Sequence, residues 1–433
     1  MSKHFWYHPY MDYKLTTLSN SLKVLTVEMP NLESAAVTLW VGVGSRYETK
    51  NISGISHFLE HMVFKGTPKR PTALDVSKSI DAIGAESNAG TSKEWTNFYL
   101  KARADLLPSA FEILSDVILN PLLRPDDIER EKGVIIEEIA MKEDVPMEKV
   151  GDNFVELMFG DIPLGRDIAG TKKTVTKLKR NDFVRYRREH YDAQNMLLTV
   201  SGGIHEKEVL KLADKYFSGL TGSKSELPGK FSERQKKPQL KVEYKKSEQA
   251  HLILGYFGYN RTHKDRYVEG VLATILGRGM SSRLFTEVRE KRGLAYAVGT
   301  SISRFIDTGI FATYAGVDVK KAEETVKVIL EQKYGLSEGK FPLEDDEIVK
   351  AKEYMKGRMA LALEDTLEVN DFYGKQVLFM EKVRNPEEVF TDVDKVNKDD
   401  IVRVAGDIFN NERLNLSVIG PFKNESKFVK LID

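Results

Sequence analysis

The sequence predicts an α+β protein of two similar domains, each a mainly antiparallel sheet packed with helices. Three observations carry that expectation. The chain has 433 residues, too many for one ordinary core. Apolar runs of strand length alternate with segments of helical period, and none approaches the length of a membrane span. The pattern of the first half then starts again in the second. Ala250–Arg261, AHLILGYFGYNR, resembles Ala36–Arg46, AVTLWVGVGSR, and Leu414–Phe422, LNLSVIGPF, resembles Met196–Ile204, MLLTVSGGI. Such recurrence is the mark of an internal duplication. The expected domains are residues 1–221 and 240–433, joined by a linker over 222–239 that is polar and holds two prolines.

In the first half, Ser21–Glu28 and Ala35–Gly44 read as paired strands. A helix follows, with Ser53 as its N-cap, Gly66 just past its end and Pro68 as a stop. Thr72 caps a second helix over Ala73–Ile83 that ends at Gly84. Ala85–Thr91 and Trp95–Ala102, separated by a short polar turn, form a hairpin. Asp105 opens an apolar-periodic helix to Leu119, and Pro125 stands at the first position of a long helix to Glu143, with Pro146 beyond its end. A strand over Asn195–Gly202 and a helix over Glu206–Phe217 complete this half.

Composition excludes several function classes. With 41% hydrophobic and 30% charged residues the chain is globular. Lysine plus arginine equals aspartate plus glutamate, 65 each, so no global field draws nucleic acid or an anionic membrane, and neither is an expected partner. The absence of cysteine rules out a disulfide framework, a thiolate metal site and a cysteine nucleophile. Met1–Asn20 contains Trp6, Tyr7, Tyr10 and Tyr13 but no continuous apolar core, and Asp12 lies within it. It reads as neither a secretory signal nor a transit peptide, which makes the cytoplasm the expected location.

Function is most legible in residues 57–61, His-Phe-Leu-Glu-His, in a chain with only eight histidines. On a helix His57 and His61 lie one above the other, and Glu60 shares their face. Two imidazoles on successive turns suit Zn²⁺, and a carboxylate between them is placed to move a proton of an attacking water. The order H-x-x-E-H is the inverted zincin signature. On its own, the run would equally suit a surface helix with two solvated histidines. In the second half, Leu272 follows Arg261 by the same count as His57 follows Arg46, and Leu272, Ile275 and Leu276 replace the histidines and the glutamate. One half therefore carries the site.

A hydrolytic zinc site needs a third protein ligand. The helix PDDIEREKGVIIEEIAMKE offers Glu129, Glu131, Glu137, Glu138 and Glu143. Glu131 and Glu138 stand two turns apart on one face, with Val134 and Ile135 on or beside that stripe, while Glu137 points elsewhere into solvent. Carboxylates set in an apolar stripe are costly unless paired or bound to a metal.

HFLEHMVFKGT, followed by EREKGVIIEE, resembles the pitrilysin/insulinase family of zinc peptidases, and in particular its processing-peptidase-like branch. The likeness runs over nearly the whole chain. It takes in ESNAGTSKEWTNFYL, Asn195-Met196 and GRGMSSRLFTEVREKRGLAY at Gly277–Tyr296. The resemblance implies that His57, His61 and Glu138 ligate one Zn²⁺ per chain and that Glu60 is the catalytic base. It implies that Glu131 orients a ligand imidazole, and that Arg289 and Tyr296 assist from a C-terminal domain. It further implies an endopeptidase that hydrolyses unfolded peptides or small polypeptides inside a clamshell chamber, with Asn88, Ala89 and Gly90 on an exposed strand edge that binds substrate. The family also contains non-catalytic and structural partner subunits, which typically lose motif residues; this chain retains His57, Glu60, His61 and Glu138. The implied assembly is a homodimer, or alternatively a heterodimer with a related subunit. Two departures stand out: LGGGMSSRLF is LGRGMSSRLF here, with Arg278 for a glycine, and NGL is NSL at Asn20–Leu22.

Overall fold

The computed structural model describes residues 12–222 and 225–432. The amino-terminal aromatic residues Trp6, Tyr7 and Tyr10, and residues 223 and 224 of the expected linker, lie outside them. The strands are β1 Tyr13–Thr17, β2 Lys23–Glu28, β3 Ser34–Val41, β4 Glu86–Thr91, β5 Thr96–Arg103, β6 Met196–Gly202, β7 Gln239–Tyr244, β8 Gln249–Gly258, β9 Ala295–Arg304, β10 Gly309–Asp318 and β11 Asn415–Gly420. The helices of the first half are α1 Ile55–Val63, α2 Ala73–Asp81, α3 Leu107–Leu119, α4 Pro125–Asp144, α5 Pro146–Phe159, α6 Lys172–Lys177, α7 Arg180–His190 and α8 Glu206–Phe217. Those of the second are α9 Arg266–Gly277, α10 Ala322–Ser337, α11 Asp345–Ala362, α12 Thr366–Phe379, α13 Pro386–Asp394, α14 Lys398–Ile408 and α15 Ser426–Ile432.

Two mainly antiparallel sheets result. The first has the order β1-β2-β6-β3-β5-β4, the second β7-β11-β8-β10-β9. Apart from β1 the orders correspond strand for strand, and each contains one parallel pair, β2 with β6 and β11 with β7. The sequence repeats fall at equivalent places, since β3 and β8, and β6 and β11, hold the matching runs. The hairpin of β4 and β5 forms as expected. The pairing expected between β2 and β3 does not form. Fully buried β6 lies between them, parallel to β2 and antiparallel to β3, because a central strand buried on both faces satisfies more backbone than a direct hairpin would.

The chain divides into two compact units that interleave in sequence. One comprises the chain through Ile139, Asp167–Pro228 and Leu361–Asn385; the other comprises Ala140–Arg166, Gly229–Ala360 and the chain from Pro386 onward. Each sheet is thus covered on one face by a helix drawn from the opposite half of the sequence. In the first unit Val37, Leu39 and Val41 of β3 point into a core shared with Phe58, Leu59 and Met62 of α1 and Phe111 of α3. Each such side chain contributes about 1.5–3 kcal/mol when buried. Ala36, Thr38 and Trp40 take the alternate positions and face α12. There the Trp40 indole donates to Thr199 Oγ1 at 2.9 Å, and Asn370 donates to the Ala36 carbonyl and Thr38 Oγ1, each at 3.1 Å. Gly374 lets α12 lie flat on Trp40, since a Cβ at Gly374 would stand 2.6 Å from the indole. In the second unit α5 covers β8 and β11, with Phe154, Met158 and Phe159 in a small core against Ile310 and Ala312.

Helix boundaries follow the sequence with a few differences. Thr72 and Asp75 form a reciprocal capping box on α2. Helix α3 begins at Leu107, after a short 3₁₀ turn over Ala104–Leu106 that contains Asp105. Pro146 does more than end α4, because it opens α5 at its first position. Among the described residues no helix is long and apolar enough to cross a membrane.

Candidate metal centre

Helix α1 carries the motif because its two faces differ. Ile55, Phe58, Leu59 and Met62 are fully buried and lock the helix to the first sheet. His57, Glu60 and His61 lie on the other face, partly accessible. The expected N-cap Ser53 does not cap the helix. The residue before the first turn is Gly54, at φ 96°, where a Cβ would stand close to the Ala169 carbonyl. Buried Glu48 supplies the missing acceptors, taking the Gly54 and Ser56 amides at 2.7 and 2.8 Å. Burial pushes its carboxyl up to about 7, against the hydrogen bonds from Ser56 and Gly54 that pull it down.

Three side chains converge at the end of this face. His57 Nε2 and His61 Nε2 stand 3.6 and 3.8 Å from Glu138 Oε2, and the ligand atoms of the three residues all lie within 4.8 Å of one another. The imidazole rings are 4.6 Å apart between centroids. Two donors on a tetrahedral zinc at its usual bond lengths sit about 3.4 Å apart, so the three groups need little movement to close on an ion. Among the described residues this is the one group of three such donors in reach of a single ion.

Glu131 fixes the tautomer. Its Oε1 lies 2.9 Å from His61 Nδ1, so the ring proton sits there and Nε2 is left to face Glu138. Lys65 holds the other oxygen at 2.6 Å. Burial of Glu131 opposes its ionisation, yet the bonds to His61 and Lys65 outweigh it and hold the carboxyl below the usual range. The α4 stripe is less apolar than its sequence indicates. Ile135 is buried between Glu131 and Glu138, whereas Val134 turns outward to solvent, because α4 packs along one side only. Glu137 is exposed.

Glu60 accepts a hydrogen bond from the Thr91 hydroxyl at the end of β4. Its charge also lies near Tyr191, whose hydroxyl is raised well above its ordinary pKa first by burial and then by Glu60. β4 is the outer strand of its sheet, bonded to β5 on one side, with Asn88 exposed and Ala89 and Gly90 half-buried. In the second unit the Arg289 guanidinium lies 5.4 Å from the Tyr296 ring centroid and 4.8 Å from that of Phe285. Arg289 is carried on a π-helical turn, Phe285–Glu290, a distortion common at functional sites. Tyr296, on β9, is 78% exposed and not a packed strand aromatic. Sequence reasoning missed Glu48, Lys65 and Tyr191. Only Lys65 had a signal, its position one turn beyond His61.

The profile described as insulinase (peptidase family M16) matches residues 23–172, and that of the peptidase M16 inactive domain matches residues 177–355. An uncharacterized zinc protease of Streptomyces coelicolor is 39% identical over 416 residues, covering 95% of this chain and 90% of that protein. The chain belongs to the M16 family, the pitrilysin/insulinase peptidases. Another relative, the uncharacterized zinc protease YmxG of Bacillus subtilis, is 33% identical over 415 residues, covering 95% of this chain and 99% of YmxG. In fold the chain is similar to the crystal structure of a protease from Helicobacter pylori, with a TM-score of 0.88 at 23% identity over 95% of this chain and all of that one. Leu272, Ile275 and Leu276, which stand where the motif residues would, fall within the segment that matches the inactive-domain profile.

Proposed function

We propose that this M16 chain is a zinc-dependent endopeptidase acting on unfolded peptides. The observation that carries the reading is the convergence of His57, His61 and Glu138, with Glu60 on the same helix face and Glu131 orienting one imidazole. Two neutral imidazoles and a carboxylate match the donor set of a hydrolytic zinc site, and His57, His61 and Glu138 would hold the ion. When bound, zinc supplies Lewis acidity that activates water and polarises the scissile carbonyl. Glu60 takes the proton of the attacking water and returns it to the leaving amine, with the Thr91 hydroxyl steadying its carboxylate. The outer edge of β4 offers backbone groups to which an extended peptide adds as a strand, with Asn88, Ala89 and Gly90 along that edge. Recognition through backbone pairing favours unfolded chains.

Tyr296 would donate a hydrogen bond to the developing oxyanion, an interaction worth roughly 3–4 kcal/mol at comparable sites. Arg289 lies against its ring and steadies it. In this reading the pair is supplied by a partner molecule, so the working form is a homodimer with two composite sites.

The test of the metal assignment is zinc content beside peptide cleavage. Glu60→Gln should keep its zinc and lose turnover by a hundredfold or more on the order expected for a lost general base. His57→Ala should lose the zinc itself. Glu131→Gln should fall between them, with zinc affinity down by about 10–100-fold. Equal zinc loss in Glu60→Gln and His57→Ala would refute the division of roles.

A further inference from the structure

Away from the metal centre, the second unit holds a pocket at the carboxyl end of α9 whose charges do not balance. Arg278, Ser282, Lys350 and Tyr354 line it together with Thr274 and Ile275, around a cavity of about 20 Å³. The nearby carboxylates are already taken. Glu347 accepts Nε and Nη2 of Arg283 at 2.9 and 2.6 Å, and Glu269 accepts Nε and Nη2 of Arg304 at 2.9 and 2.6 Å. Lys350 donates to the Ser281 carbonyl at 2.9 Å, and its charge acts on Glu347, which is already paired with Arg283. The Arg278 guanidinium, partly buried, makes no hydrogen bond or ion pair among the described residues. Burial, and after it the charge of Arg304, holds its pKa below the usual value, with Tyr354 and Glu269 only partly offsetting them. An arginine remains charged in such a place, and its donors, which still reach solvent, are left open to an anionic acceptor.

The chemistry of the missing partner follows from the shape of the donor. A guanidinium presents parallel N–H groups that match the two oxygens of a carboxylate, and Lys350 adds a second positive charge beside it. The cavity has room for about one water, enough to admit a carboxylate oxygen beside Arg278. It adjoins a groove of about 490 Å³ that shares Ser281 and Glu347 with it and is lined by Thr286, Gln332, Phe341 and Pro342 beside the charged Arg283, Glu287, Arg292, Glu331 and Glu344. That volume, lined by charged and hydrogen-bonding groups of both signs with Phe341 and Pro342 among them, suits a stretch of polar peptide and not a small free acid. We propose that this pocket is a carboxylate-binding subsite for peptides, with Arg278 as the residue that holds the anion and the adjoining groove carrying the chain. The proposal takes peptide as the ligand, as the function proposed above does. The carboxylate comes either from a free C-terminus or from an aspartate or glutamate side chain.

Binding is measured on the full chain carrying Glu60→Gln, so that no peptide is consumed. Three labelled peptides of one alanine- and serine-based sequence are compared by fluorescence anisotropy: a free C-terminus, a C-terminal amide, and an amide with one internal glutamate. The free-acid or the glutamate peptide should bind at least about tenfold more tightly than the plain amide, in keeping with a charge-assisted bidentate contact. Which of the two is preferred identifies the source of the carboxylate. Arg278→Gly should erase the preference, and Arg278→Lys should keep part of it. Arg278 has extended backbone, at φ −112°, which the lysine variant keeps without strain, and unchanged zinc content and melting temperature would show that both variants fold. The proposal is overturned if all three peptides bind alike, or if the preference survives Arg278→Gly. Because the readout is binding, loss of the peptidase reading through a failed zinc or cleavage assay would leave this result distinct.

Discussion

Lys333 shows how strongly one side chain can depend on its surroundings. It is fully buried on α10, its Nζ donates to the Leu254 carbonyl at 3.3 Å, and the rings of Tyr256, Phe311 and Phe409 lie 5.0–5.7 Å away. Burial lowers its pKa from 10.5 to about 7. Between those values the unfolded chain holds a proton that the folded chain has shed, so this group makes stability rise with pH across that window. Below the folded pKa the buried amine must be charged and the full penalty applies. Lys333→Met should therefore be more stable than the parent near neutral pH and should lack the climb, on the order of 2 kcal/mol between about pH 7 and pH 9. Urea midpoints of both proteins at the two pH values measure it. A parallel climb in the variant would assign the effect to other groups.

At the scale of elements, the turn between β1 and β2 carries strain that its sequence explains. Leu18 and Leu22 close the hairpin, the Ser21 amide bonds to the Leu18 carbonyl, and Asn20 reaches the Phe217 and Leu220 carbonyls. The geometry demands a left-handed residue after the turn, and Ser21 takes it at φ 74°. The family's glycine at this position would adopt it without a Cβ clash. Ser21→Gly should thus stabilise the first unit by about 1 kcal/mol, raising the melting temperature while leaving zinc content unchanged. A destabilised Ser21→Gly would mean that the entropy of the freed chain outweighs the relieved strain. The contrast with Arg278 is instructive, since the second lost glycine has an extended backbone and its side chain, not its conformation, is what matters.

For the whole molecule the strongest prediction concerns the proposed dimer. Glu60→Gln and Tyr296→Phe should each be nearly inactive, and mixing them under conditions of subunit exchange should restore activity. In a mixed dimer one site would hold both defects and the other neither. If each chain used its own Tyr296, every site would keep a defect and mixing would restore nothing. Exchange without recovery, shown with differently labelled subunits, would exclude the composite site.

Much of this protein was legible from residue order alone. The H-x-x-E-H run named the helix and three side chains of its candidate metal centre, because helical periodicity is local and puts positions one turn apart on one face. The repeats announced two similar sheets, because duplicated strands must bury the same alternate residues. The choice among the five candidate glutamates of α4 was beyond spacing alone. Family likeness pointed to Glu138, and tertiary packing shows it 3.6 Å from His57, with Glu131 at His61 and Val134 turned out. The insertion of β6 between β2 and β3, the Glu48 cap on α1, and the covering of each sheet by a helix from the other half were equally silent in the sequence. Each depends on contacts between residues far apart along the chain, where the energy lies in excluding water from both faces of a sheet and satisfying buried backbone, and no local pattern records which distant segment will do so.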